Sequence, residues 1–441
     1  MTAEKVVYWR ENLECMPRTE LEQLQLRKLR DQLNHVCERS PFYRRKMRAA
    51  GIRPDDIRTM ADVRQIPFTE KHELKQSQVD HPPWGDFPCI APEEAVRVFQ
   101  TSGTTGTPVR IMLSRKDWYE NFYEQFMHFR CGYGLTGKDV LFVPFNYGLY
   151  IAWWSFQATM EKAGLTIVPG GGLSSKARLQ ALIDWGATAI CGTPSYLLYL
   201  AETARKNNID LSSSLIRKMV AAGEPGAGIH ATKKALESQW EAECFDDIGS
   251  TEISNFGYEC IKHQGTHVLE SMFIAEVLDT ETLEPLADGE VGELVLTNLD
   301  CESVPLVRYR TMDLVRFNRE PCECGRTNLR LDGGIVGRAD DMFHFAGVNI
   351  FPSQIQNLLH TVDEFSQEYQ LLVPKMGSGK HLKIRVEPAH DQITAAQLRR
   401  ATEFLLESIK YRITVTPEVE VVEIGTLPRF EGKARRIVRE E

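Results

Sequence analysis

Four short apolar runs, "DVLFVPF", "LTIVPG", "ATAICGTP" and "IRKMVAAGE", are separated by stretches of helical period such as "SSKARLQALIDWG" and "SYLLYLAETARKNN". The runs have strand length, and the spacers are long enough for the crossover that parallel strands require. A chain written this way folds as α/β with largely parallel sheets, and its ligands are expected at the carboxyl ends of strands. The pattern persists to about residue 340. Ahead of it, "TELEQLQLRKLRDQLNHV" sets Thr19 and Glu22 at capping-box spacing and puts Leu21, Leu24, Leu29, Leu33 and Val36 near one helical face. From about 266 to 317 the text changes to short alternating strands with Gly, Asp and Pro turns, which predicts an appended antiparallel sheet or barrel. After "GRADD" the chain starts afresh with helix, strand, strand, helix and strand, a small α+β unit. The expected division is therefore 1–339, a large domain, and 340–441, a small one; a 441-residue chain exceeds what one core usually supports.

A formal net charge of −9 argues against nucleic acid and anionic membranes as partners. No window offers about 18 apolar residues, and the N-terminus lacks the apolar core of a signal peptide, so a cytoplasmic location is expected. Ten cysteines in such a chain read as free thiols or metal ligands. Cys260 and His267 in "CIKHQGTH", with Cys322 and Cys324 in "CEC", make a Cys₃His set, a closed tetrahedral complement for structural zinc with no open position for catalysis. His263 is a rival ligand, and three buried cysteines beside a surface histidine are the alternative without metal.

The loop in "QTSGTTGTPVRI" is nearly all Gly, Ser and Thr, between two strand-like segments, "AVRVF" and "PVRIMLS". Its donors suit phosphate, but Thr107 and Pro108 follow Gly106 where a Walker loop has lysine and a helix, which excludes a P-loop NTPase. A Ser- and Thr-rich surface hairpin is the other reading of this stretch alone.

Further short signals follow in order: "AAGEP" at 221–225, "DDIGSTEIS" at 246–254, "YRTMD" ending at Asp313, "GRADD" from Gly337, and "LPRFEGKARR" with Lys433. Together they resemble the adenylate-forming enzymes over nearly the whole chain. "TSGTTGTP", "GTPSY", "GEP", "GRADDMFHFAGVNIFPSQI" and "LPRFEGKARR" are similar to the phenylacetate-CoA ligase branch, some members of which also look alike at the Cys₃His set. The resemblance implies the adenylate-forming fold, ATP, Mg²⁺ and CoA, an aromatic acid, and a homodimer for which the sequence shows no interface pattern. A carboxylate attacks the α-phosphate of ATP to give acyl-AMP and pyrophosphate, and the CoA thiolate then displaces AMP. By resemblance, Thr101, Ser102, Gly103, Thr104, Thr105 and Gly106 hold the β and γ phosphates, Glu252 places Mg²⁺, and Thr251 lies near the α-phosphate. Gly223, Glu224, Pro225, Asp247, Ile248 and Gly249 wall the nucleotide, although Glu224 equally suits a structural ion pair. Asp313 accepts from the ribose hydroxyls, Arg338 steadies ribose or phosphate, Lys433 reaches the α-phosphate, Asp340 is the hinge, and Gly347 lies beside the thiol tunnel.

"FNYGLYIAWW" supplies Phe145, Tyr147 and Tyr150 for an acid pocket that Ala222 completes, with Trp153 and Trp154 either at the ring or in the core. Trp153 stands where phenylacetate-CoA ligases look glycine-rich, which predicts a shorter pocket and a benzoate-type acid. Ile248 replaces an aromatic residue, Met312 a glycine, and Thr107 and Val109 stand where relatives often carry lysine; Arg110 compensates only if it turns toward the phosphates. Two alternatives remain at this point: transfer to a carrier-protein phosphopantetheine arm, and a nucleotide-binding regulator with degraded chemistry.

Overall fold

The computed structural model describes residues 5–101, 107–345, 348–374, 381–430 and 436–439. β1 (Ala95–Gln100) and β2 (Arg110–Ser114) form an antiparallel hairpin that is a sheet of its own. The expected crossovers follow: β3 (Val140–Val143), β4 (Thr166–Pro169), β5 (Ala189–Gly192), β6 (Lys218–Ala222) and β7 (Glu243–Ser250) pair in parallel. Their connecting helices start where the sequence caps them. Ser174 accepts from Ala177 N–H, and Thr193 accepts from Tyr196 N–H with Pro194 in the first turn.

At β7 the direction reverses. β8 (Ser254–Glu259), β9 (Thr266–Val268), β10 (Phe273–Leu278), β11 (Val291–Asn298), β12 (Tyr309–Asn318) and β13 (Arg330–Arg338) are antiparallel to their neighbours. The antiparallel region expected after residue 266 is thus present, and it continues the parallel strands as one eleven-stranded sheet in the order β10-β11-β12-β13-β9-β8-β7-β6-β5-β3-β4. A single apolar core runs through this unit from Leu29 to Leu331.

The first long helix, Arg18–Arg39, buries Leu21, Leu29, Leu33 and Val36 as expected. Its cap differs. Pro17 ends the extended segment, so the helix begins at Arg18, and Thr19 lies inside it instead of capping it. Arg18 is fixed by Glu22 at 3.1 Å and Glu270 at 2.8 Å.

The small C-terminal unit has its own core, from Phe343 to Val415. The β14 (Phe343–Phe345) and β15 (Val348–Ile350) pair leads to the helix Pro352–Leu359. β16 (Phe365–Val373), β17 (Lys383–Pro388), β18 (Glu418–Val421) and β19 (Ile437–Arg439) make a sheet in the order β18-β17-β16-β19, with the helix Ala395–Ile413 between β17 and β18. Thr232 Oγ1 lies 2.7 Å from His360 Nδ1, and Arg429 lies 3.6 Å from Glu202, so the two units meet along the helices after β5 and β6.

Met312, for which the family resemblance leads one to expect a glycine, has φ +63° within β12. A side chain in this left-handed region costs roughly 1–2 kcal/mol, partly offset by the entropy glycine loses on folding. Met312→Gly is therefore expected to leave stability unchanged or raise it by up to about 1 kcal/mol in denaturant unfolding, and Met312→Val to lower it by about 1 kcal/mol. A glycine variant weaker by more than that would show that the Met312 side chain contributes more by packing than its backbone costs.

Candidate active site

Thr251 and Glu252 occupy the turn between β7 and β8, where the sheet reverses. The turn is tight because its flanks approach closely: a Cβ on Gly249 would lie 2.5 Å from Asn255 Cα. Asn298 Nδ2 donates to Ile253 C=O at 3.2 Å, Ser254 Oγ donates to Gln125 Oε1 at 2.9 Å, and Gln125 Nε2 donates to Asn255 C=O. Glu252 is 8% exposed, and Lys71 Nζ stands 2.7 Å from its carboxylate. Thr251 and Glu252 line a cavity with Ile111, Phe122, Gln125 and Ile151, so the turn faces the hairpin β1–β2 and the helix Phe122–Gly132.

Lys71 is the residue that the sequence reading missed. It opens the helix Lys71–Asp80, where Glu70 and Glu73 form the capping box. "TEKHEL" shows a helix start, but nothing local to it says that this start abuts the β7–β8 turn. Arg110 does not compensate for the missing loop lysine. Its guanidinium donates to Pro83 C=O at 3.0 Å, and its main chain is held by Gln78. Thr101 closes the neck of the hairpin, its N–H donating to Val109 C=O at 2.9 Å and its hydroxyl accepting from Val109 N–H at 3.0 Å. Ser102, Gly103, Thr104, Thr105 and Gly106 lie outside the described residues, as do Gly347 and Lys433.

The nucleotide-wall residues gather at the ends of β6, β7, β12 and β13. Gly223 follows β6 with φ +92°, a conformation that suits glycine, and Thr193 Cγ2 is 3.4 Å from where its Cβ would be. Glu224 accepts from Ser195 N–H at 2.8 Å, which ties it to the first turn of the helix Pro194–Lys206. Ile248 sits opposite Gly257, with no room for a Cβ between them. Asp247 is turned inward: Tyr133 Oη donates to it at 2.8 Å, Asn255 Nδ2 also donates, and burial pushes its carboxyl up to about 7. Its side chain therefore serves the core and does not face a ligand. Asp313 pairs in register with Arg338, whose Nη1 is 2.9 Å from Asp313 Oδ1 and whose Nε is 2.8 Å from Asp340 Oδ1. Burial works against the Arg338 charge, but the neighbouring carboxylates, Asp340 first, outweigh it and raise its pKa. Glu224, Pro225 and Arg338 open onto a cleft that Ser353, His360 and Arg436 of the small unit close from the other side.

The aromatic segment splits between core and wall. Trp153 is 5% exposed and stacks on Phe145 at 4.7 Å and 15°, and Phe145 also meets Tyr196 at 5.7 Å. Tyr147 meets Trp154 at 4.6 Å, and its buried hydroxyl has no hydrogen-bond partner among the described residues. Tyr150 is exposed, and Ala222 is buried at the end of β6.

Cys260, His267, Cys322 and Cys324 are all buried, and their ligand atoms lie within 4.8 Å of one another. For ligands about 2.3 Å (sulfur) and about 2.0–2.1 Å (nitrogen) from a tetrahedral zinc, the S···S and S···N edges come to about 3.8 and about 3.5 Å. The Cys260–Cys322 Sγ distance is 3.8 Å, and Cys324 Sγ to His267 Nε2 is 3.5 Å. The donor set fits that ion. His263 is engaged elsewhere, 2.8 Å from Lys233 Nζ, 3.4 Å from Glu259, and against the Phe245 ring.

Residues 23–298 match the family described as AMP-binding enzyme, and residues 347–440 match the AMP-binding enzyme C-terminal domain. The phenylacetate-coenzyme A ligase of Thermus thermophilus is 34% identical, over 97% of this chain and 98% of that one. 2-Hydroxyisobutyryl-CoA ligase in the postadenylation state, in complex with R3-HIB-AMP, superposes with a TM-score of 0.94 at 29% identity, covering 100% of this chain and 94% of that one. The same ligase in the thioesterification state, with 2-HIB-AMP and CoA, gives 0.74 at 30% identity over 98% of this chain and 92% of that one. With a relative 34% identical over nearly the whole of both chains and family models that match residues 23–298 and 347–440, the chain belongs to the AMP-binding enzymes and is an AMP-forming acid–thiol ligase that makes CoA thioesters.

Proposed function

We propose that the protein activates an aromatic carboxylic acid of benzoate type. The observation that carries the reading is the Phe145–Trp153 stack: Trp153 lies flat on Phe145 and both rings are buried, so that they fill space which a longer arylalkanoate would need, while Tyr150 is exposed and Tyr147 half-buried. The phenylacetate-CoA ligase relatives support an aryl acid in general. Acyl-AMP forms when a carboxylate oxygen of the acid bonds to the α-phosphorus and the bond to pyrophosphate breaks; the CoA thiolate then bonds to the acyl carbon and AMP leaves.

Each step needs particular side chains. Glu252 would hold Mg²⁺, which would supply neutralising charge on the phosphates, with Thr251 near the α-phosphate. Lys71 stands ready beside them, and when Glu252 turns to a cation its ammonium is free to meet phosphate oxygens in place of the lysine that the loop lacks. Asp313 accepts from the ribose hydroxyls and Arg338 holds Asp313 in place. Lys433 donates to the α-phosphate during adenylation, and Asp340, at the 339/340 boundary, is the hinge about which the small unit then withdraws it. The overlay on the postadenylation state of 2-hydroxyisobutyryl-CoA ligase, closer than on its thioesterification state, supports a unit that occupies more than one position. Cys260, His267, Cys322 and Cys324 hold a structural zinc.

Three outcomes test this. In a pyrophosphate-release screen, benzoates, plain or with amino or hydroxy substituents, should give higher kcat/KM than phenylacetate or short aliphatic acids; a preference for phenylacetate or an aliphatic acid rejects the benzoate assignment. Lys433→Ala and Lys71→Ala should slow acyl-AMP formation by roughly 10²–10³ and roughly 10–10² respectively, on the scale of losing one preorganised donor. Both should largely keep thioester formation from supplied acyl-AMP, and equal slowing of both steps would refute the division of labour. Protein purified without chelator should carry about one zinc per chain, with Cys322→Ser or Cys324→Ser lowering metal content and thermal stability together; metal-free wild type would remove the zinc.

A further inference from the structure

His360 closes the helix Pro352–Leu359, and its main chain is fixed there by N–H donation to Gln356 C=O at 3.0 Å. Its ring reaches across the boundary. Nδ1 lies 2.7 Å from Oγ1 of Thr232, which stands in the first turn of the helix His230–Trp240 of the large unit. Nε2 is closed off from solvent and has no hydrogen-bond partner among the described residues. The ring lines the cleft onto which Glu224, Pro225 and Arg338 open.

A second proton on that ring would be badly placed. Arg436 of β19 lies in the same cleft, held by Glu368 of β16 at 3.0 Å with its guanidinium 4.5 Å from the Tyr369 ring centroid. Glu224, Arg338 and Asp341 are the other charged groups on the cleft among the described residues, and Lys233, next to Thr232, is turned away to Glu259 at 2.6 Å. Burial opposes the imidazolium and Arg436 adds to the effect, so His360 is pushed from its ordinary 6.5 down to about 3. Protonation makes both ring nitrogens donors, and Nε2–H then carries part of a charge with neither water nor an acceptor to meet it.

We infer that His360 is a positioning residue for acyl-AMP formation: through Thr232 it latches the small unit in the position seen here while its ring is neutral, and protonation opens the latch. The inference rests on the reading of the small unit as taking two positions. Withdrawal would return the ring to water, where it takes up a proton in the ordinary range, so protons favour the withdrawn position. The latched position therefore keeps its full advantage above 6.5 and loses it as pH falls toward 3. Between pH 7.5 and 5.5 the latched-to-withdrawn ratio should fall about tenfold.

Energy transfer between dyes on non-natural residues at Leu215 of the large unit and Tyr411 of the small one, both exposed, reads the two positions in the full-length protein. The wild type should show the tenfold fall. His360→Gln, which keeps a donor and takes no proton, should hold the ratio within about twofold over the same range, and Thr232→Val should lower it about fivefold at pH 7.5. In single turnover, wild-type acyl-AMP formation should decline toward pH 5.5 relative to His360→Gln, while thioester formation from supplied acyl-AMP does not decline relative to it. A merely structural role would lower the melting temperature and both half-reactions alike and leave the pH dependence in place. His360→Asn replaces the glutamine variant if that one folds poorly. Transfer that responds to CoA with an acyl-sulfamoyl adenosine but not to pH, or a pH dependence kept in the His360 variants, overturns the latch while the two positions stand. A pH-dependent ratio with no decline of acyl-AMP formation overturns the positioning role. Transfer that changes with neither pH nor those ligands overturns the two positions, and the latch with them.

Discussion

Glu252 is buried at the turn where the sheet changes from parallel to antiparallel, and a carboxylate there needs a positive partner. Lys71 provides it from a helix that is otherwise part of the N-terminal layer. The lysine is itself 42% exposed, so the pair is a weak stabiliser of the fold. Its consequence is electrostatic readiness: a half-solvated ammonium can leave the carboxylate at small cost. The hairpin, the helix Phe122–Gly132 and the end of β11 meet the turn at one cavity, whose lining runs from Ile111 to Val304 in the sequence.

The periodicity of the apolar runs carries the parallel half of the sheet, and the turn residues after 266 carry the antiparallel half, because both patterns are local. Asp313 and Arg338 were legible as separate motifs, and pairing in register makes them one site. What period-two reasoning cannot supply is the direction of Asp247. β7 is central, so its two faces are both covered, and Asp246 and Asp247 are buried on opposite sides with burial pushing each carboxyl up to about 7. Alternation marks a ligand-facing position only when one face is open. Arg110 and Lys71 fail for a different reason: each is placed by a partner far away in sequence, the Pro83 carbonyl for one and the β7–β8 turn for the other.

The Cys₃His cluster joins what the strand register alone leaves loose. Cys260 follows β8, His267 lies in β9, and Cys322 and Cys324 lie in the connection from β12 to β13. That connection decides how β13 returns along β12, and hence whether Arg338 arrives opposite Asp313. The N-terminal segment reinforces it. Tyr8 Oη donates to Cys324 C=O, and the buried Arg326, two residues on, meets Glu14 at 2.7 Å and Val7 C=O at 2.8 Å. A buried pair of this kind adds little net stability, but removing one partner is costly; it holds the chain's beginning against the connection that precedes Arg338 in β13.

The small unit is held in a different way, and the contrast bears on how it works. Burial pushes His360 down to about 3, with Arg436 adding to the shift, so its contact with Thr232 is a neutral hydrogen bond over the whole physiological range. A second polar link, Arg429 to Glu202, is 3.6 Å long, and Arg429 is shared with Glu387 of its own unit. Contacts of these two kinds contribute about 1 kcal/mol each or less. Inside each unit, by contrast, an uninterrupted apolar core resists rearrangement. Polar contacts of this kind hold the boundary more weakly than packing holds either core. If the small unit moves as proposed, the short segment around Asp340, which joins the two cores, is where the chain would bend.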